Sequence, residues 1–447
     1  MHRSTDRRRF LRGSLAAAAT PYVFTTQQAK AQSANDGFGV LAVGVRGRGG
    51  GVGHQATRYG RCVAVCDVDT TSADKFINGL RDQAKPPVFK DYRKALEQSD
   101  IDLVTIGTPD HWHTAILIAA LKAGKDVYCE KPMTLTIDEG KQICKVAKET
   151  GRVIQVGTQQ RTEMGQRFLK AVAIAKSGRL GGKLTATCMI GSAPSGGPFP
   201  LADPPATLDW DFWLGQTPVV PYTKERCHSS FRWWLEYSGG KMTDWGAHHI
   251  DIAQWALGDD DTGPISIEGE GVLPQGREDT LAMITGQKKP TDIPNGYNTA
   301  TRFDLRLEFA SGHTIIVRHG PDNGILIEGD KGRIFVSRGR ITGKPVEEIE
   351  ADESQREWLD REVVKLYNGR RPGSHMQNFI DCVQDRSQPI SDVFTHHRAV
   401  SSCHLCNITL LLGRKLQWDP AKEDFVGDPQ ASSMVAREQR KPYVIEA

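Results

Sequence analysis

The chain has 447 residues, 38% hydrophobic and 25% charged, with a formal net charge of +3, as expected of a soluble globular protein with two or three domains and a sizeable core. Residues 1–31 hold six of the 57 basic side chains and one of the 54 acids, so the remainder carries 51 basic against 53 acidic groups, a net −2. That balance gives no electrostatic case for nucleic-acid or membrane-surface binding.

Arg7-Arg8-Arg9-Phe10-Leu11-Arg12 precedes a mild apolar run, Leu15 to Phe24, and Ala29-Lys30-Ala31 follows as a small-x-small cleavage box. In that order they read as a twin-arginine signal over residues 1–31, cleaved near Ala31, which predicts export to the periplasm. A basic tail is the alternative, and the run is shorter than the ~20 residues a membrane span needs. Export permits disulfides, yet the nine cysteines are odd in number and scattered, so buried free thiols are expected. Cys403 and Cys406 share a C-x-x-C spacing inside a helical run, where packed small residues explain it.

From Gly39 to Val43 runs a short apolar strand, broken by the glycines from Gly44 to Gly53 before a helix. Val63 to Cys66 forms the next strand and ends at Asp67; a helix follows from Ser72, then strand Ile101 to Ile106 and helix Thr114 to Ala123. Strand Lys125 to Cys129, helix Ile137 to Thr150 and strand Val153 to Val156 complete the series. Strands alternating with helices predict a doubly wound parallel Rossmann sheet, residues 36–158. The rhythm then changes: helix Glu163 to Ala175, strand Lys183 to Ile190, a Gly/Pro/Trp-rich stretch from Gly191 to Gly240, and helix Asp244 to Leu257. Strand-like runs at Ile265 to Val272, Ala300 to Phe309, His313 to His319 and Ile325 to Ile327 predict a large, mainly antiparallel open sheet. With helices Ser374 to Gln384 and Thr395 to Leu412 they make an α+β domain over residues 159–415, and residues 416–447 read as a tail that wraps the surface. One uncovered sheet face predicts a homo-oligomer, a dimer or tetramer.

A dinucleotide needs backbone N–H groups near its pyrophosphate and a helix N-terminus aimed at it. The run Gly44-Val45-Arg46-Gly47-Arg48-Gly49 supplies the first and third glycines of G-x-G-x-x-G, with Arg46 replacing the second. Either Gly47 gives the close approach or an arginine side chain covers the phosphates; a plain flexible turn is the other reading. Asp67 ends the second strand, where a carboxylate accepts the ribose hydroxyls and repels a 2′-phosphate, favouring NAD over NADP, with an acidic helix cap as the alternative. Thr108-Pro109-Asp110-His111-Trp112-His113 is the turn after a later strand, and Glu130-Lys131-Pro132 stands where another runs out, the place where an open α/β sheet gathers ligands. In Asp244-Trp245-Gly246-Ala247-His248-His249-Ile250-Asp251, a helix opened by Asp244 would put Asp244 and His248 on one face. A carboxylate beside an imidazole orients it and raises its basicity, as a general base requires. A capping acid and a structural histidine remain the alternative, and a metal site lacks a third ligand at recognisable spacing.

Together these segments resemble the glucose-fructose oxidoreductase/inositol dehydrogenase (Gfo/Idh/MocA) superfamily, on Gly44 to Gly49, Asp67, the Thr108 to His113 turn, Glu130-Lys131-Pro132 and Asp244-x-Gly246-x-His248. The resemblance implies an NAD(P)-dependent oxidoreductase acting on a sugar, polyol or glycoside. Lys131, Asp244 and His248 would be catalytic: Lys131 bonds the reacting hydroxyl, His248 takes its proton, and Asp244 positions substrate or imidazole. Gly44, Arg46, Gly47, Arg48, Gly49, Asp67, Thr108, Pro109, His113, Glu130 and Lys131 would contact the dinucleotide, and Arg161, Tyr237 and His249 the carbohydrate; no metal is implied. Because the twin-arginine route carries folded proteins, an exported enzyme is expected to load its nucleotide first and regenerate it in place. Coupled oxidation and reduction of two sugars would satisfy this, and so would transient oxidation that cleaves or epimerises a glycoside. A catalytically silent sugar-binding protein on the same scaffold is the reading from another class.

Overall fold

A computed structural model describes residues 37–80 and 85–447; the export signal expected in residues 1–31 lies outside them. Strands β1 (Phe38–Val43), β2 (Gly60–Cys66), β3 (Val88–Phe89), β4 (Leu103–Ile106), β5 (Asp126–Cys129) and β6 (Ile154–Val156) form a six-stranded sheet ordered β3-β2-β1-β4-β5-β6. Every pairing is parallel. β4 and β5 are buried along their whole length, as strands with helices on both faces are. The strand order reverses between β1 and β4, and the loops after them diverge to leave a crevice.

The second sheet has nine strands, β7 (Thr185–Met189), β8 (Ser266–Val272), β9 (Arg302–Glu308), β10 (Thr314–Arg318), β11 (Gly324–Gly329), β12 (Gly332–Val336), β13 (Ile341–Thr342), β14 (Leu416–Asp419) and β15 (Asp424–Phe425), ordered β13-β12-β11-β7-β10-β9-β8-β14-β15. It is antiparallel except where β10 runs parallel to β7. Alternation sets its faces: Phe303, Leu305 and Leu307 of β9 point into the core, and Arg302, Asp304 and Arg306 point out. The inner face packs against helices Arg167–Lys176, Gly246–Leu257 and Val393–Leu412.

Two features depart from a simple division at residue 158. Helix His375–Asp385 lays Met376, Phe379, Ile380 and Val383 against Val40, Leu103 and Tyr128, closing a face of the parallel sheet. Val393–Leu412 packs on both Gly246–Leu257 and Ile137–Thr150, joining the two halves. The tail contributes β14 to the large sheet, has Tyr443 donate to Asp211 of the Gly191 to Gly240 stretch, and sends Ile445 into the core of the N-terminal half. The stretch Gly191 to Gly240 is organised by its aromatics, with Trp213, Trp234 and Tyr237 buried in one cluster. All nine cysteines are free, eight of them buried. Among the described residues no helix is long and apolar enough to cross a membrane.

Candidate active site

The crevice is built by glycines at two close approaches and one open turn. Gly44 leaves β1 with φ +70, and a Cβ there would lie 2.5 Å from the Thr108 amide nitrogen. A Cβ on Gly49 would fall 1.9 Å from the Gly44 carbonyl oxygen, so only glycine lets helix Arg48–Ala56 start this near the strand ends. Gly47 has φ +54 and nothing within 4 Å of its Cβ position, which leaves its backbone open. These three positions favour Gly47 over Arg46 as the point of close approach. Arg46 is 53% exposed and stands 3.9 Å from Asp69, while Arg48 turns to Glu130 at 2.8 Å.

Asp67 fastens the loops after β1 and β2: Oδ2 accepts from the Val45 amide at 2.9 Å and Oδ1 from the Asp69 amide at 2.9 Å. Burial pushes its carboxyl up to about 6 against the pull of those two bonds. Together these groups line a cleft walled by Gly44, Gly47, Gly49, Asp67, Thr108 and Pro109, and also by Leu208, Phe212, Trp213, His228, Phe231 and Arg232. The buried Thr108 hydroxyl has no hydrogen-bond partner among the described residues. An open glycine backbone, a helix N-terminus, a carboxylate at the end of β2 and an orphan hydroxyl fit a dinucleotide.

His113 was expected in this wall and is elsewhere. It is 1% exposed, with Nδ1 2.7 Å from the Pro132 carbonyl and Nε2 2.9 Å from the Thr108 carbonyl, so it ties the loops after β4 and β5 together. Glu130 likewise points inward, accepting from Arg48 and, at 2.9 Å, from Gln159.

Lys131 follows β5 and crosses to the second half. Its ammonium donates to the Asp244 carboxylate at 2.7 Å and the Asp244 carbonyl at 2.9 Å. That carbonyl is available because helix Lys241–Asp244 ends there and a second helix, Gly246–Leu257, begins beyond Trp245. Arg232 adds a bond to the same carboxylate at 3.3 Å. Burial works against the Asp244 charge, but Lys131 and Arg232 outweigh it and hold the carboxyl down to about 2.

The expected Asp244–His248 partnership is therefore not formed. The helix starts three residues before Asp244, and the carboxylate turns to Lys131. His248 is 4% exposed with Nδ1 unpartnered among the described residues. Burial, then Lys131 and Arg338, push its imidazole well below the ordinary value. Its basicity is lowered where a carboxylate neighbour was expected to raise it, so the ring is neutral at neutral pH.

The residues expected on the carbohydrate are buried in other roles. Arg161 makes a two-pronged pair with Asp251 at 2.7 and 2.8 Å and donates to the Ile390 carbonyl, leaving it 3% exposed. Tyr237 is fully buried and accepts from Arg226 at 3.2 Å. His249 has its ring nitrogens on Gln160 and Asn323, and no cluster of three metal-ligating side chains occurs among the described residues. The site also gathers residues without a sequence signal. Arg232 lines the cleft and reaches Asp244. Arg338, from the turn between β12 and β13, lies 4.4 Å from the Trp245 ring centre. Asp110, buried, accepts from Ser238 at 2.5 Å.

Residues 38–158 match the NAD-binding Rossmann fold of the Gfo/Idh/MocA oxidoreductase family, and residues 199–445 match the C-terminal alpha/beta domain of the same family. The chain belongs to this family. Gfo/Idh/MocA relatives include an inositol 2-dehydrogenase from Azotobacter vinelandii, 33% identical over 29% of this chain and 37% of that protein. A levoglucosan dehydrogenase from Pseudarthrobacter phenanthrenivorans is 29% identical over 56% of this chain and 59% of its own length. The chain thus spans between about a third and three-fifths of these curated relatives. The crystal structure of an aldose-aldose oxidoreductase from Caulobacter crescentus shares the Gfo/Idh/MocA fold, with TM-score 0.56 and 16% identity over 85% of this chain and 99% of that one.

Proposed function

We propose that this chain is an NAD-dependent oxidoreductase that interconverts a hydroxyl and a carbonyl on a sugar or polyol. The observation that carries the reading is the Lys131 ammonium, delivered from the end of β5 and held 2.7 Å from Asp244 of the second half. Arg232 links that pair to the glycine-lined cleft. Family membership and relatives named as dehydrogenases of inositol and levoglucosan support it.

The open backbone at Gly47 and the start of helix Arg48–Ala56 would hold the pyrophosphate, and Asp67 would accept the ribose hydroxyls and disfavour a 2′-phosphate. A nicotinamide bound in the cleft supplies the hydride acceptor. Lys131 donates to the reacting oxygen and steadies the negative charge that grows on it as its proton leaves. Asp244 keeps that ammonium charged and fixed in place. His248, neutral, accepts the hydroxyl proton. Export through the signal in residues 1–31 adds the requirement that the nucleotide stay bound between turnovers.

The test is nucleotide retention. Protein purified without added cofactor should carry NAD(H), and Asp67→Asn should lower NAD affinity about tenfold or more while narrowing the preference over NADP. Weak NAD binding that Asp67→Asn leaves unchanged would defeat the cofactor assignment.

A further inference from the structure

The cations around Asp244 are not all paired. Asp244 takes Lys131 at 2.7 Å and Arg232 at 3.3 Å, and Glu130 takes Arg48 at 2.8 Å. Two further cations lie beside Trp245, the residue that follows Asp244: the Arg338 guanidinium is 4.4 Å from its ring centre, and the Lys241 ammonium is 5.9 Å from it and 5.7 Å from the Trp233 ring centre. Among the described residues no carboxylate pairs with either, and Arg338 Nε is buried without a hydrogen-bond partner. Of the acids facing Arg338, Asp244 and Glu130 are committed to the pairs above, and Glu163, which accepts from the His375 amide at 3.4 Å, forms no ion pair with it. The Trp245 ring centre lies 6.1 Å from that of His248. A half-buried, unpaired arginine is disfavoured unless something completes it, and stacking on an indole recovers only part of its lost hydration.

We infer that the substrate carries a negatively charged oxygen group, the carboxylate of a sugar acid or the phosphate of a sugar phosphate, received by Arg338 beside Trp245. Arg338 presents a planar fork suited to such a group. The anion sets the ring's orientation from a neighbouring position while Lys131 and His248 address the hydroxyl. Arg338 is then a specificity residue. The inference rests on the oxidoreductase reading, and it predicts which member of a matched substrate pair binds.

The experiment is calorimetric titration of the NAD-loaded full chain with matched pairs: methyl glucuronide against methyl glucoside, and glucose 6-phosphate against glucose. At least one anion should bind about tenfold or more tightly than its neutral partner, with the difference shrinking as salt rises. Which pair responds identifies the source of the charge. Arg338→Gln should remove the preference, Arg338→Lys should keep part of it, and Arg340→Gln, at an exposed neighbour, should keep it whole. Equal binding within both pairs, no binding of either anion at millimolar concentration, or a preference that survives Arg338→Gln would overturn the inference. NAD affinity measured on the same samples separates the outcomes: loss of NAD binding in the wild type removes the oxidoreductase reading itself, whereas intact NAD binding with no anionic preference removes only this one.

Discussion

Arg161 and Lys131 each face one carboxylate, and their surroundings separate a packing pair from a reactive one. Arg161 and Asp251 are 3% and 1% exposed and bonded at both prongs, with Arg161 also stacked 4.6 Å from the Trp255 ring centre. Nothing from solvent reaches them, so their contribution is to stability. Asp251→Asn should destabilise the fold by about 3–5 kcal/mol in urea unfolding, because it strands a buried guanidinium; a loss below about 1 kcal/mol would mean the pair is dispensable. Lys131 and Asp244 are 12% and 16% exposed, adjoin an unpartnered histidine and share a carboxylate with Arg232. Asp244→Asn should leave the fold intact, since Lys131 keeps the backbone carbonyl, yet slow hydride transfer about 100-fold. A turnover rate within a few-fold of wild type would remove Asp244 from the reaction.

At the scale of elements, the glycine turn carries the most direct prediction. Gly49→Ala would place a methyl 1.9 Å from the Gly44 carbonyl, so helix Arg48–Ala56 must retreat from the strand ends. NAD affinity should fall at least tenfold with the protein still folded; unchanged affinity would show that this helix start does not hold the pyrophosphate. This turn was legible in the sequence because a close approach requires glycine whatever the surroundings. So were the parallel strands, whose apolar runs follow from burial on both faces. Helix Glu353–Leu366 escaped because only Leu359 and Val363 are buried along it, too thin a stripe to show a period, although Asp352 caps it. Arg277–Ile284 and Lys344–Ala351 were missed for the same reason, each burying two residues. In the site, Lys131 and Asp244 were legible as a pair of motifs but their contact was not: the helix begins at Lys241, and that shift turned the carboxylate from His248 to Lys131. Arg232 and Arg338 come from a turn and a hairpin whose positions depend on the tertiary fold, so spacing could not nominate them.

Across the whole molecule, buried imidazoles set the response to acid. Burial lowers His111, His249 and His375 to about 4 and His396 and His404 to about 3, against an ordinary value of 6.5. A depressed value in the folded state means the unfolded chain binds protons first, so this stability is complete above pH 6.5 and is lost as pH falls towards 4. Asp67 and Glu139, raised by burial to about 6 and about 7, act in the opposite sense and offset part of it. The urea midpoint should therefore drop between pH 6.5 and 4, with net proton uptake on unfolding. His396→Leu, which removes two unpartnered ring nitrogens, should raise stability by about 1–3 kcal/mol and flatten the slope. A midpoint that held steady or rose on acidification would show that these rings are hydrated.

The account as a whole turns on Lys131 acting on a substrate hydroxyl beside a bound nicotinamide. Its most direct measurement is the reduction of bound NAD, followed by nicotinamide absorbance at equal NAD occupancy, when neutral and anionic sugars and polyols are added to the wild type and to Lys131→Met. The wild type should reduce its NAD with at least one member, and Lys131→Met should do so at least about 100-fold more slowly while keeping its fold and nucleotide. Reduction at the wild-type rate in Lys131→Met would contradict the central claim.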